Sequence, residues 1–336
     1  MEFTCKSKVL KEGVNIVEKA VAQKSTLASL ENIFLELVDS RLVLRGNNLE
    51  IGIENSFSVE NSVQPGSVLL KAKTLVGIVS KIDDETVTVS MNDAQKVSIK
   101  GNSVDFDILG TKTEEYPAFP EVEETSSFQI RVADLRDLFT HTLIAVSYDE
   151  TKKFLNGVLM QSEQDKLHIV ATDGYRLALK RQIVPPFEND ITALIPYKAV
   201  NELNRFLQQQ ADDKRVQISL SSNQVTFTLD SFVLISRLNQ GKFPDYKQVI
   251  PQTTAHSFKI SRQAFFAAAE RASIIASASN NVARFNFNQS SISISANAKG
   301  LGDFKEDVSF ERLSGEGTLS VAFNIRLLMD VIKTVS

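Results

Sequence analysis

Apolar residues at Leu10, Val14, Val17 and Val21 follow one another at gaps of 4, 3 and 4, the spacing that lines up one face of an α-helix. A second helical pattern is predicted over residues 70–82. Around these, Leu42-Val43-Leu44 and Thr86-Val87-Thr88-Val89 have the alternation and β-branched content of strands with one buried face. The segment closes at Tyr116-Pro117-Ala118-Phe119-Pro120, where proline withholds an amide from any further ladder.

The pattern then starts again. Phe3-Thr4-Cys5, Phe128-Gln129-Ile130 and Phe258-Lys259-Ile260 align without gaps, and seven positions after each phenylalanine stand Leu10, Leu135 and Phe265. Leu42-Val43-Leu44 returns as Leu167-His168-Ile169 and as Ile292-Ser293-Ile294, in steps of 125 residues. Second helices are predicted over 195–207 and 322–335, and Phe243-Pro244-Asp245-Tyr246 closes the second copy. Ordered landmarks at a common offset mark an internal repeat. The expectation is an α+β fold of three tandem units, 1–125, 126–253 and 254–336, each with two helices packed on antiparallel sheet in the order β-α-β-β-α-β-β-β. The third copy stops at its second helix without the final strands of the other two, so an open sheet edge is expected there.

Composition narrows the class. With 43% hydrophobic residues the chain can bury several cores, yet no window approaches 18 uninterrupted apolar residues, and no membrane span is expected. The N-terminus lacks the basic-then-apolar layout of a secretory signal, and the single cysteine, Cys5, cannot form an internal disulfide. A cytoplasmic protein is expected. Thirty-seven Lys and Arg against 41 Asp and Glu leave a net charge of −4, which speaks against coating nucleic acid by bulk charge. It does not exclude positive charge gathered on one surface.

Catalytic and metal chemistry finds no support. His141, His168 and His256 fall in three different units without ligand spacing, so neither a metal nor another cofactor is expected. Phosphate-loop, dinucleotide and nucleophile-elbow motifs are missing, and Asp83-Asp84 and Asp212-Asp213 sit where turns are expected. An enzyme is therefore not expected. Ala171-Thr172-Asp173-Gly174-Tyr175-Arg176 admits two readings. Asp-Gly after a strand is a hairpin signal, whereas Arg176 beside Leu177 and Leu179 at the rim of a unit suits a binding site.

Cations line the predicted helices. Lys8, Lys11, Asn15 and Lys19 form a stripe on the first, and Lys198, Asn201, Arg205 and Gln208 on the fourth, with no acid in the latter stripe. Lys73 and Lys81, then Arg326 and Lys333, repeat the arrangement. Any one such face is an ordinary solvated surface. Recurrence in corresponding helices predicts, for units set in an arc, a basic wall that meets phosphates without reading bases.

Together these features resemble the bacterial DNA sliding clamps, the β subunits of the replicative DNA polymerase III. The resemblance is carried by Phe154-Leu155-Asn156-Gly157, Ala171-Thr172-Asp173-Gly174-Tyr175-Arg176-Leu177-Ala178, and Lys242-Phe243-Pro244-Asp245-Tyr246 with Val249-Ile250-Pro251. Weaker signatures are Thr26-Leu27, Glu31-Asn32, Phe323-Asn324 and Leu327-Leu328. The family implies a ring of two head-to-tail protomers around double-stranded DNA, bound without sequence preference. It also implies a pocket for short peptide motifs of DNA polymerase, clamp loader and repair proteins. Carried over, that pocket uses Leu155, Thr172, Gly174, Tyr175, Arg176, Leu177, Pro244 and Val249, with Tyr175 where the family often has histidine. The family's DNA contacts correspond best to Lys24, Lys198 and Arg205 and more loosely to the Lys152-Lys153 loop, and the cation stripe on the second helix adds Lys73 to the DNA-facing set.

Three departures from the family pattern stand out. Ala28-Ser29-Leu30 replaces a Pro-x-Leu turn. At the protomer interface, Asp105 replaces a basic residue, and the facing acidic run is thinned to Lys299-Gly300-Leu301-Gly302-Asp303. A partly reversed interface is expected, with Asp105 and Asp107 opposite Lys299 or Lys305 around Phe106, Ile108, Ile274 and Ile275. The short third unit removes family residues from one pocket wall, so weaker peptide binding than in a longer form is expected. The alternative reading is a divergent or phage-type paralogue that binds proteins as a scaffold without closing a ring.

Overall fold

The computed structural model describes residues 1–120, 124–184, 187 and 189–335. In the first unit β1 (Glu2–Lys6) leads into α1 (Ser7–Glu18). There follow β2 (Asn32–Val38), β3 (Arg41–Asn47), β4 (Ile51–Ser58), β5 (Glu60–Gln64), β6 (Gly66–Lys71), α2 (Ala72–Val79), β7 (Thr86–Met91), β8 (Lys96–Lys100) and β9 (Asp105–Leu109). The second unit runs β10 (Ser126–Arg131), α3 (Val132–Thr142), β11 (Gly157–Glu163), β12 (Lys166–Thr172), β13 (Leu177–Ile183), β14 (Thr192–Pro196), α4 (Tyr197–Leu207), β15 (Arg215–Leu220), β16 (Gln224–Leu229) and β17 (Phe232–Arg237). The third has β18 (Ser257–Ile260), α5 (Arg262–Ala276), β19 (Val282–Phe287), β20 (Ser291–Ala298), β21 (Gly302–Ser314), β22 (Leu319–Asn324) and α6 (Ile325–Thr334).

The threefold α+β repeat is present, but the predicted unit order has too few strands. Among the described residues, four strands separate the helices in the second and third units and five in the first, against the two predicted. The second helices accordingly start later, at Ala72, Tyr197 and Ile325, because Leu69-Leu70, Leu194-Ile195 and Phe323 lie in the strands before them. A short buried apolar run serves a strand as well as a helix, and periodicity does not separate the two.

Helices pack on sheet through the faces the spacing marks. Leu10, Val14 and Val17 are buried under α1, and Ala199, Val200, Leu203 and Leu207 under α4. On α5 the buried face is all alanine, Ala268, Ala269, Ala272 and Ala276, which lets that helix approach its sheet closely. One apolar interior runs through the first two units, and the third has its own. The reason is topological. The last strand of unit two, β17, pairs with β4 of unit one to make an eight-stranded sheet, β10-β15-β16-β17-β4-β3-β2-β6. Strands β9 and β13 end their own sheets, β5-β1-β7-β8-β9 and β13-β12-β11-β14. In the third unit, β18 covers β21 only from Phe310 onward, so residues 302–309 of β21 are paired on one side alone.

Candidate partner pocket and basic helix faces

The Asp-Gly hairpin between β12 and β13 has turn chemistry in full. Asp173 Oδ1 accepts the amides of Tyr175 and Arg176, each at 2.9 Å. The Thr172 hydroxyl donates to the Arg176 carbonyl at 2.7 Å and accepts the Gly174 amide at 3.1 Å. Gly174 has φ +89°, a left-handed conformation that costs a side-chain-bearing residue energy. The turn throws Tyr175 into solvent, 90% exposed, and turns Arg176 the other way. Arg176 Nε lies 3.1 Å from Asp173 Oδ2, while Nη1 lies 3.0 Å from both the Leu327 carbonyl and Asp330 Oδ2 on α6.

Beside the hairpin, Leu159, Val170 and Leu194 form an apolar floor covered by Phe243 and Tyr246, with Leu177, Leu179 and Ile250 packed against it. The covering strap is held at its start by Asn239. Its amide N–H donates to the Leu194 carbonyl at 2.8 Å, and its side chain to the Lys153 and Asn156 carbonyls at 2.9 Å each. A Cβ on Gly157 would lie 2.5 Å from the Ile195 carbonyl, which is why the Phe-Leu-Asn-Gly motif ends on glycine. Farther along, the Tyr246 hydroxyl sits 3.2 Å from both His168 Nδ1 and Gln161 Oε1. Burial holds the His168 imidazole below its ordinary pKa of 6.5, against the opposing pull of Glu163.

Of the predicted pocket residues, Leu155 and Thr172 are buried, Arg176 and Leu177 half-buried, and Gly174, Tyr175, Pro244 and Val249 exposed. A cavity of about 640 Å³ lies against the strap, lined by Leu159, Leu194, Leu238, Phe243 and Pro244. Only Pro244 of the predicted set reaches it. Exposed aromatics that sequence reasoning passed over adjoin the strap and α4. Phe154 Cβ is 3.5 Å from where a Gly241 Cβ would stand, and Tyr148 meets Tyr197 edge-on at 5.1 Å between ring centres. Phe154 heads a motif quoted for the family resemblance, which was the available signal.

The predicted DNA-facing residues Lys24, Lys73, Lys152, Lys153, Lys198 and Arg205 are all exposed. Lys19, just past the end of α1, and Arg205 of α4 line one cleft where the first two units meet, together with Glu12 and Glu202. Lys153 and Lys198 share another with Arg237, Glu50 and Glu150. The stripe on α4 is thus less free of acid than its spacing implies. Lys198 lies 3.3 Å from Glu150 of a neighbouring loop, and Arg205 3.2 Å from Glu202 three positions back.

At the predicted interface, the side chains of β9 alternate. Asp105 and Asp107 point to solvent, 3.2 Å from Lys100 and 2.7 Å from Lys96, and Phe106 and Ile108 are half-buried. The ammonium of Lys96 keeps the Asp107 carboxyl below the usual range. Lys299 and Lys305 are exposed, Ile275 is half-buried, and Ile274 is 68% exposed.

Family models of the DNA polymerase III beta subunit match the chain throughout: the N-terminal domain over 1–120, the central domain over 129–245 and the C-terminal domain over 247–336. The chain belongs to this sliding-clamp family. The Beta sliding clamp of Staphylococcus aureus is 29% identical over 343 residues, covering 100% of this chain and 90% of the relative. The DNA polymerase sliding clamp of Bacillus subtilis superposes with a TM-score of 0.92 at 30% identity, with the same coverage of each chain. The Pseudomonas aeruginosa clamp bound to griselimycin gives 0.93 at 26%, again over 100% and 90%. Among the described residues no helix is long and apolar enough to cross a membrane, and no group of three His, Cys, Asp or Glu is set to hold a metal ion.

Proposed function

We propose that this chain is a non-catalytic, cytoplasmic processivity clamp. Two copies close head to tail around duplex DNA, and polymerase, clamp loader and repair proteins dock by short peptides on the strap of unit two. The units proposed are those read from the repeat, 1–125, 126–253 and 254–336.

The observation that carries the reading is that the chain's internal junction predicts its external one. Counting along the ladders, Phe3↔Val89, Val89↔Ile99 and Ile99↔Phe106 correspond to Phe128↔Ile218, Ile218↔Phe227 and Phe227↔Leu234. Phe106 of β9 therefore holds the place of Leu234 in β17. Likewise Gly46↔Ile53 corresponds to Ala296↔Phe304, which gives Phe304 of β21 the place of Ile53 in β4. Within the chain Leu234 pairs with Ile53 and Val233 with Glu54. A second copy joined in the same way pairs Phe106 with its Phe304, and Asp105 with its Lys305. Apolar meets apolar on the half-buried face, and opposite charges meet on the exposed one. Of the two basic candidates, this register selects Lys305, and it sets Asp107 opposite Asp303.

The exposed lysines and arginines of corresponding helices support a sequence-independent DNA surface, in which enclosure holds what modest net attraction does not. Griselimycin on the Pseudomonas aeruginosa clamp supports a ligand-binding face in the family. Light scattering at micromolar concentration tests closure. The reading expects twice the 37.2 kDa chain mass, and a monomer at all concentrations would favour the scaffold alternative.

A further inference from the structure

We infer that Asp330, on the third unit, is a positioning residue for the peptide pocket of the second, acting through Arg176 and coupling pocket occupancy to the docking of α6. The inference rests on the pocket reading above. Units one and two are welded by strand pairing, but among the described residues no strand pairing joins units two and three. The contacts there are helical and polar. Helix α3 lies against α6, His141 Nε2 is 2.8 Å from the Thr334 carbonyl, and Arg176 reaches Leu327 and Asp330. One side chain thus serves both the predicted pocket rim and the junction.

The geometry around Arg176 leaves it little freedom. Its side chain is only 15% exposed, and Asp173, which also caps the hairpin amides, holds Nε from one side while α6 holds Nη1 from the other. Moving the guanidinium breaks charge-assisted bonds to both units. Nη2 has no hydrogen-bond partner among the described residues and remains free to donate to an incoming ligand. Asp173, Arg176 and Asp330 together sum to one negative charge, so the acceptor that suits this site is a neutral carbonyl or amide oxygen and not a carboxylate. A peptide backbone supplies such oxygens.

The test is a double-mutant cycle in the full chain. Affinity is read by anisotropy of a fluorescein-labelled synthetic peptide with adjacent leucine and phenylalanine. Asp330→Asn is expected to weaken binding about fivefold, because the neutral amide oxygen accepts the Arg176 bond more weakly than the carboxylate does. In an Arg176→Ala background the same change is expected to do nothing further, which a merely structural role does not produce. Peptide is also expected to slow amide exchange across α6 in the parent but not in Asp330→Asn. Unchanged affinity in Asp330→Asn, or an equal loss in the Arg176→Ala background, overturns the inference alone. A folded parent that binds no peptide overturns the pocket reading and this inference with it.

Discussion

Reversing Lys305 tests the closing register most sharply, because among the described residues Lys305 has no ion-pair partner in its own chain, whereas Asp105 already has Lys100 at 3.2 Å. An exposed cross-strand ion pair contributes roughly 0.2–1 kcal/mol. Lys305→Asp replaces that attraction with repulsion of similar size, a change of about 1 kcal/mol at each interface. A head-to-tail dimer repeats the pair at both interfaces, so the dimer loses about 2 kcal/mol, or roughly thirtyfold in dissociation constant. Sedimentation equilibrium at low salt reads this directly, and the deficit is expected to shrink as salt screens the exposed pair. Asp105→Lys is expected to weaken the dimer similarly, and the double exchange to return it to within a few fold of the parent. If the double variant loses as much as the two single losses added together, the two residues do not face each other and the register is wrong.

The same register makes Asp303→Lys a strengthening change, since it relieves the Asp107–Asp303 opposition, and a tighter dimer is the expected sedimentation result. Burial of His168 sets a pH dependence. Above its ordinary pKa of 6.5 both folded and unfolded forms are neutral. As pH falls below that value, the unfolded chain takes up a proton that the fold resists, and stability declines. Thermal unfolding is expected to drop more steeply between about pH 7 and 5.5 in the parent than in His168→Gln. Cys5 is buried and its thiol is pushed up to about 12, so a thiol reagent at neutral pH is expected to label it only after denaturation. Prompt labelling of native protein contradicts the buried placement of β1.

Much of this organisation is written in local pattern. The repeat was legible because Phe3, Phe128 and Phe258 open like-folded units, and the Asp173 hairpin because Asp-Gly after a strand has its own turn chemistry. Where signals were not local, reading failed. Strands β6 and β14 merged with the helices after them because both are apolar. Asp330 gave no sign of its role, since it lies 154 residues from the arginine it holds. The acids that partner Lys198 and Arg205 were missed for two reasons. Glu150 comes from a loop brought near only by folding, and Glu202 from a helix position outside the stripe counted. In contrast, choosing Lys305 over Lys299 as the proposed partner of Asp105 needed the sheet ladders, because strand register is a count along hydrogen-bonded neighbours and not a property of either segment.

Topological retention on DNA bears most directly on enclosure. A linear duplex is anchored to a bead at one end, the protein is threaded from the free end, and that end is then blocked by a bound protein. The expected result is retention through a high-salt wash and release when the duplex is cut. Equal loss in high salt from blocked and open duplexes contradicts a ring, because binding by phosphate contacts alone is screened by salt whatever the state of the ends.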